Sequence, residues 1–280
     1  MKSVDNFDQS SPHPARMYDW YLGGKDYYPV DQEAATKVLE VFPSVRRAAW
    51  VNREFMHRAT TYLATIGIRQ FLDIGTGIPT EWNLHQIAQK VAPESRIVYV
   101  DNDPLVLTHA RALLGSTTTA GRTAYAEADV RHTHDILNAP ELIDTLDLTR
   151  PVAISLVALL HFVPAADHPY DIVSTLMDAV PSGSYLVISH ATADFDPEAF
   201  EHITRIYQEG GIDAEFRCRA DVERFFAGLD LVEPGVTPPH RWRQDVEVPL
   251  PRKHSDYTSA VSADALDALV SFYAGVAVKP

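Results

Sequence analysis

Short apolar segments alternate with helical segments through most of the chain, and this alternation limits the possible folds more than any other feature. Runs such as "RIVYV" and "YLVIS" are almost continuously apolar, which is typical of strands that are covered on both faces. Strands are predicted at 71–74, 96–100, 123–126, 152–158, 185–189, 231–236 and 271–278. Helices are predicted at 80–91, 104–114, 136–146, 170–180, 197–208 and 220–227. This order predicts an α/β fold with a doubly wound, Rossmann-like parallel sheet.

The composition is that of a globular protein with an acidic surface. The 280 residues and the 46% hydrophobic content permit a full core. The formal net charge of −14 disfavours nucleic acid as a partner, because an acidic surface repels a phosphate backbone. Cys218 is the only cysteine, so neither an internal disulfide nor a cysteine-rich zinc site is expected.

The sequence shows neither a targeting segment nor a membrane span. The first 16 residues are polar, unlike a signal peptide, and the longest apolar run, at 152–163, is too short to cross a bilayer. We therefore expect a soluble, cytoplasmic protein without membrane contact, whose oligomeric state the sequence does not indicate. Residues 1–15 are expected to be disordered, and helices are predicted at 31–39 and 44–67.

The stretch "FLDIGTGIPT", at 71–80, is typical of a strand that enters a nucleotide-binding turn. Gly75 and Gly77 allow backbone angles that side chains disfavour, and they let a ligand approach the main chain closely. A dinucleotide site requires a third glycine, but that position is Thr80, and the chain has no Walker loop. The turn, with Thr76 between its glycines, therefore favours a ligand that is not held through phosphate.

Acidic residues follow the first three predicted strands, where the carboxyl ends of a parallel sheet form the ligand site. Asp73 suits an ammonium group, and Asp101, beside Asn102, is placed to accept two ribose hydroxyls. Asp129 can accept a hydrogen bond from an adenine amine while the backbone of Val130 meets the ring edge. S-adenosylmethionine fits this description, because it has a cationic end, a ribose and an adenine, but no phosphate. For each acid taken alone, a turn or helix-cap role remains the commoner alternative.

Several motifs resemble those of the class I S-adenosylmethionine-dependent methyltransferases: "LDIGTG", "YVDNDP", "AEADV", "SLVALLHFVP" and "PSGSYLVISH". A narrower resemblance covers nearly the whole chain and includes "RMYDWYLGGKDYYPVD", "VNREFMHRA" and "YAGVAVKP". It is to an actinobacterial S-adenosyl methyltransferase family long known as a domain of unknown function. The resemblance implies a seven-stranded sheet whose last strand is antiparallel and lies beside the sixth. It also implies that residues 1–66 form a tail and a helical lid over a methyltransferase domain at 67–280.

Within this lid, Arg16 or Lys25 is expected to pair with the methionyl carboxylate, and Tyr21 to cover the methyl group, beside the turn at Gly23. Covering matters because methyl transfer is favoured when water is excluded and the reactants are aligned. The alternative is that this segment is a capped turn whose aromatic residues pack on the core.

Val157 and Ala158 are expected to end the fourth strand beside the sulfonium, and His161 follows on the exit loop. His161 is either a wall of the site or a base that takes a proton from the acceptor, and His190 is a weaker candidate for the same role. A buried structural histidine is the commoner case. The sequence lacks HExxH, GxSxG and CxxC motifs, and no metal is expected.

The leading hypothesis is an S-adenosylmethionine-dependent methyltransferase (EC class 2.1.1) with a small-molecule acceptor, in which O-, N- and C-methylation remain open. One alternative is a module that binds S-adenosylmethionine as a sensor or partner protein without turnover. Another is a nicotinamide-dependent oxidoreductase, which Thr80 disfavours. The long loop at 237–262 is expected to shape the acceptor pocket together with the lid.

Overall fold

A mixed β-sheet organises the chain in this computed structural model, which describes residues 9–80, 82–113, 115–249 and 261–280. The strands are β1 (Gln70–Ile74), β2 (Arg96–Asp101), β3 (Arg122–Glu127), β4 (Ala153–Val157), β5 (Tyr185–Ala191), β6 (Asp230–Leu231) and β7 (Phe272–Val278). Their order in the sheet is β3-β2-β1-β4-β5-β7-β6. Neighbours from β3 to β5 pair in parallel, whereas β7 is antiparallel to β5 and β6. The predicted Rossmann-like sheet and its antiparallel last strand are confirmed.

Helices cover both faces of the sheet. They are α1 (Pro14–Tyr21), α2 (Pro29–Val41), α3 (Val45–Thr65), α4 (Leu84–Val91), α5 (Pro104–Leu113), α6 (Thr133–Leu137), α7 (Pro140–Thr145), α8 (Pro169–Asp178), α9 (Pro197–Glu209), α10 (Arg219–Glu223) and α11 (Ala263–Val270). The helix predicted at 136–146 is two short helices, because Pro140 begins the second one, where its missing N–H costs nothing. Among the described residues, no helix is both long and apolar enough to cross a membrane.

Two further predictions of secondary structure were wrong at their boundaries. The helix predicted from Thr80 begins at Leu84, and the Gln86 side chain accepts a hydrogen bond from the Asn83 N–H (2.7 Å). The strand predicted at 231–236 ends at Leu231, because Gly235, at φ +82°, turns the chain back toward Val232 (Gly235 N to Val232 O 2.9 Å). The first correction leaves residues 75–80 and 82–83 in irregular structure at the end of β1.

Alternate residues of the strands supply two cores, one on each face of the sheet. In β1, Leu72 packs beneath α6, α7 and α8, whereas Phe71 packs beneath α3 and α4, and both side chains are buried. A third apolar cluster lies between α1, α2, the start of α3, α9 and α11. This third cluster brings the amino-terminal helices to the end of the sheet where ligands bind in such folds.

The described part of the predicted long loop, residues 237–249, packs on α3. Trp242 is fully buried, with its ring edge-to-face against Phe55 (5.4 Å between centroids). Arg58 donates hydrogen bonds to the carbonyl oxygens of Trp242 (2.9 Å) and Pro239 (2.6 Å). None of these loop residues lines the cavity described below, so the expected role of this part in shaping a pocket was wrong. Residues 250–260 of the predicted loop lie outside the described residues.

Candidate active site

A cavity of about 450 Å³ lies at the carboxyl ends of the parallel strands. Its lining brings together most of the residues that the sequence predicted: Tyr21, Asp73, Gly75, Thr76, Gly77, Asp101, Asn102, Asp129, Val130, Val157, Ala158 and His161. The start of β7 also reaches it, because β7 runs antiparallel to β5 and places Phe272 opposite Ala191. The volume lies within the range typical of small-molecule sites, roughly 300–1,000 Å³.

The glycine turn has the backbone that the sequence predicted. Gly75 (φ +73°) and Gly77 (φ +67°) both have left-handed angles that side chains disfavour. A Cβ atom at Gly75 would lie 2.7 Å from a methyl carbon of Leu159, so this position also needs its small size. The turn is anchored to β2 by hydrogen bonds from the N–H groups of Gly75 to Val100 O (2.8 Å) and of Gly77 to Asp101 Oδ2 (2.8 Å).

Asp101 links this turn to the loop after β2. Its Oδ1 accepts a hydrogen bond from the Asp103 N–H (2.9 Å), while Oδ2 accepts from Gly77. Burial raises the pKa of Asp101, although these two backbone donors lower it again. A carboxylate has about four acceptor positions, so Asp101 can still accept two further donors from a ligand.

Asp73 lies near the end of β1, within electrostatic range of Arg53, a cation that was not predicted from the sequence. Burial raises the pKa of Asp73 to about 7; the Arg53 guanidinium lowers it and Asp101 raises it further. Arg53 comes from α3 and donates to the carbonyl oxygens of Thr80 and of Trp82 (3.2 Å). Its Nε has no hydrogen-bond partner among the described residues.

The neighbour of Arg53 on α3 is also a polar residue in the cavity wall. Asn52 donates through Nδ2 to the Tyr18 hydroxyl (2.9 Å), which in turn donates to Ala49 O (3.0 Å). The Asn52 Oδ1 is buried and has no partner among the described residues. The spacing of these two residues is the sequence signal that could have identified them. Asn52 and Arg53 follow Ala49 by three and four residues, so they are polar residues on the buried face of a helix.

Asp129 is already engaged by neighbouring side chains. Arg131 donates to both of its carboxylate oxygens (2.9 and 2.7 Å), Asn102 donates to Oδ2 (3.0 Å), and the Arg131 N–H donates to Oδ1 (2.9 Å). Burial favours a higher pKa for Asp129, but these hydrogen bonds outweigh it and lower the pKa to about 2. Four donors occupy about all the acceptor positions of a carboxylate. An adenine amine can therefore bind Asp129 only if one of them moves away.

The lid residues divide between the cavity and the surrounding structure. Tyr21 lines the cavity, whereas Arg16, Gly23 and Lys25 do not. Arg16 is buried and forms an ion pair with Asp31 (3.2 Å), because a buried cation requires a nearby carboxylate. Gly23 is an exposed turn residue at φ +81°, and the Lys25 side chain is exposed. The expected pairing of Arg16 or Lys25 with a cofactor carboxylate does not agree with these positions.

His161 lines the cavity but is poorly suited to accept a proton. Burial, His190 and Arg217 all lower its pKa well below the usual value. Its Nδ1 accepts a hydrogen bond from the Ala191 N–H (3.4 Å), so the neutral ring carries its proton on Nε2. His190, which lies outside the cavity lining, contacts Arg217 through Nε2 (3.2 Å), and burial is the main reason that its pKa is about 3. This geometry favours His161 as a wall or hydrogen-bond donor over the base considered from sequence.

Val157 ends β4 at the cavity, and Ala158 follows it there. Ala158 has a left-handed backbone (φ +54°), which is uncommon for a residue with a side chain and is often found at functional sites. Its N–H donates to the main-chain oxygen (3.0 Å) and the hydroxyl (2.9 Å) of Ser189, so hydrogen bonds to β5 hold this conformation. Within the described residues, no group of three or more histidine, cysteine or acidic side chains is arranged to hold a metal ion.

Comparisons with known proteins agree with this geometry. A family model described as S-adenosyl methyltransferase matches residues 1–280. The crystal structure of a DUF574 family protein from Streptomyces avermitilis MA-4680 is 47% identical, with 98% of this chain and 100% of that chain covered and a TM-score of 0.90. A predicted methyltransferase from Thermobifida fusca YX is 37% identical, with coverages of 97% and 96% and a TM-score of 0.84.

More distant similarity concerns the fold alone. The plantazolicin methyltransferase BpumL, solved with S-adenosylhomocysteine (SAH) and a triazolic desmethylPZN analogue, is 11% identical over 95% of each chain, with a TM-score of 0.51. A search of curated proteins gave no match. The full-length family match and the two similar structures show that the chain belongs to the S-adenosyl methyltransferase family, whose cofactor is S-adenosyl-L-methionine.

Proposed function

We propose that the chain transfers a methyl group from S-adenosyl-L-methionine to a small-molecule acceptor. The observation that carries this proposal is one continuous cavity with two unlike sides. One side has the glycine turn and the acids at the ends of β1, β2 and β3, and the other is lined by apolar and aromatic side chains near β4, β5 and β7. The acidic net charge of −14 supports a small molecule over nucleic acid as the acceptor.

The chemistry of the first side fits the cofactor. Asn52 Oδ1 and Arg53 Nε are unpartnered within the described structure, and the charge of Arg53 acts on Asp73. An amino-acid group supplies both an ammonium, which Asp73 and Asn52 Oδ1 are suited to accept, and a carboxylate, which Arg53 is suited to bind. Asp101 is suited to two ribose hydroxyls. Val130 lies beside the adenine in this proposal, and Asp129 accepts a hydrogen bond from the adenine amine only if Arg131 moves away.

When bound, S-adenosylmethionine would supply an activated methyl group to the acceptor and leave as SAH. The protein contributes position and exclusion of water. Val157 and Ala158 shape the wall at the end of β4, and His161 is suited to donate a hydrogen bond through Nε2. We further propose that residues 1–66 act as the lid of a methyltransferase domain at 67–280.

The proposal is tested by incubating the protein with methyl-labelled S-adenosylmethionine and a small-molecule extract, and then tracing the label. Transfer of label to a low-mass product is expected, and an Asp73→Asn variant should lose it. Calorimetry with S-adenosylmethionine, SAH and NAD provides the binding control. Binding of NAD without binding of the sulfonium would refute the proposal, and cofactor binding without any labelled product would favour a sensor.

A further inference from the structure

The second side of the cavity is an aromatic chamber that is not filled by the protein's own side chains. Its walls come from the third apolar cluster and include Phe42, Phe200, Ile203, Phe216 and Phe272. A cluster of this kind normally closes into a packed core, because interiors have few voids larger than a water molecule. Here the side chains face a cavity, which indicates that a ligand completes the packing.

Charged groups are concentrated on the cofactor side. Of the charged side chains in the described cavity wall, Arg53, Asp73, Asp101, Asp129 and Arg131 belong to that side. Asp213, near the aromatic chamber, is exposed to solvent. A charged ligand inside the chamber would lack a buried counterion, and burial of an unpaired charge is strongly unfavourable. The chamber therefore favours an uncharged molecule.

The polar groups near the aromatic walls include two tyrosine hydroxyls as well as His161, whose ring packs against Phe216 (6.0 Å between centroids) and Phe272 (5.9 Å). Tyr21, from α1, and Tyr207, from α9, are 5% and 8% exposed, so the hydroxyls are withdrawn from bulk water. Burial raises the pKa of Tyr21 well above its usual value and that of Tyr207 to about 12, so both hydroxyls stay protonated. The Tyr21 hydroxyl interacts with that of Tyr207, which raises the pKa of Tyr21 and lowers that of Tyr207. The two hydroxyls are poorly aligned for a hydrogen bond, and no other described residue bonds to the Tyr21 hydroxyl.

We propose that this chamber is the acceptor site, and that the acceptor is an uncharged aromatic molecule with a hydroxyl or carbonyl oxygen that hydrogen-bonds to Tyr21. Flat rings fit between aromatic walls through stacked and edge-to-face contacts. The buried Tyr21 hydroxyl has only the poorly aligned Tyr207 hydroxyl beside it, so a ligand oxygen that completes its hydrogen bonding gains affinity and orientation. The inference rests on the proposed function, since it identifies the substrate class of the same enzyme.

The ligand class is tested by calorimetry on the wild-type protein saturated with SAH. The probes share one ring system and differ in the polar group: 2-naphthol, naphthalene, 2-naphthoate and 2-naphthylmethylammonium. We expect 2-naphthol to bind most tightly, naphthalene more weakly, and the two ions least. Tighter binding of either ion, or no preference for 2-naphthol over naphthalene, overturns the proposal. Failure of SAH itself to bind would instead count against the proposed function.

The tyrosine is tested with Tyr21→Phe, which keeps the ring, and with Tyr62→Phe as the matched control outside the cavity lining. Tyr21→Phe should weaken 2-naphthol binding by roughly three- to tenfold, the range expected for one hydrogen bond. It should leave naphthalene and SAH affinities unchanged, and Tyr62→Phe should change none of the three. An equal loss for naphthalene and 2-naphthol would show that Tyr21 only supports packing, and would refute its assigned role.

Discussion

Cofactor affinity should depend on pH through Asp73. Burial raises the pKa of this carboxyl to about 7, Arg53 partly opposes that effect, and Asp101 adds to it. In our proposal the ionised carboxylate receives the ammonium group of the cofactor. Binding must therefore expel the proton that the free protein holds below pH 7, and affinity should rise with pH until Asp73 is fully ionised.

The size of the effect follows from that pKa. A carboxyl with a pKa near 7 is about half ionised at pH 7 and about 1% ionised at pH 5. Affinity for SAH should thus fall about 50-fold between pH 7 and pH 5, and rise only about twofold above pH 7. An ordinary aspartate, with a pKa near 3.9, would change affinity by less than about 10% over the same interval.

Calorimetric titration with SAH from pH 5 to 8.5, in two buffers that differ in ionisation enthalpy, measures both the affinity and the protons released. Asp73→Asn should bind more weakly at pH 8 and should lose most of the pH dependence. The pKa of Asp101 is also raised, so a smaller slope should persist in that variant. Affinity that is constant over the range, or a slope that survives unchanged in Asp73→Asn, would refute the reasoning.

Three other expectations concern single groups. Asp101→Ala should weaken SAH binding at least about tenfold, because it removes the acceptor of two backbone N–H groups as well as the proposed ribose contact; unchanged calorimetric affinity would exclude that contact. Arg131→Ala should strengthen SAH binding roughly three- to tenfold by releasing Asp129, whereas weaker binding would mean that Arg131 itself contacts the cofactor. His57 and His190 have pKa values of about 3 through burial, below the unfolded value near 6.5. Their stabilisation is complete above pH 6.5 and is lost as pH falls toward 3, so urea unfolding should show about 2 kcal/mol of loss per histidine from pH 7 to 5, with one such contribution absent in His190→Gln.

The sheet was predictable from the sequence because the signals are local. Continuous apolar runs identify β1, β2, β4 and β5 directly. The acids at the ends of β1, β2 and β3 meet at one edge because parallel strands share their carboxyl ends. The same reasoning placed Gly75 and Gly77 in a turn that requires positive φ angles. Helix starts were less predictable. Asn83 and Gln86 form the cap of α4, but Thr80 is also a residue type that is common at the start of a helix.

The partners of the charged residues in the amino-terminal helices were less predictable from the sequence. A buried arginine must meet a carboxylate or several carbonyl oxygens, but the sequence does not show which partner the fold brings near it. Arg16 meets Asp31, only 15 residues further along the chain, whereas Arg53 reaches the end of β1 and the loop before α4. Tyr21 and Tyr207 are likewise brought together from helices at distant positions in the sequence.

These long-range placements give the amino-terminal helices a share in both proposed ligand sites. Arg53 and Asn52, on α3, face the cofactor side, and Tyr21, on α1, faces the aromatic chamber. The two helices are joined directly, since Asn52 donates to the hydroxyl of Tyr18, three residues before Tyr21. A cofactor that engages Asn52 through its free Oδ1 therefore restrains a side chain that already holds α1. By this path, cofactor binding should order Tyr21 before the acceptor arrives, so the acceptor should bind the cofactor complex more tightly than the free protein.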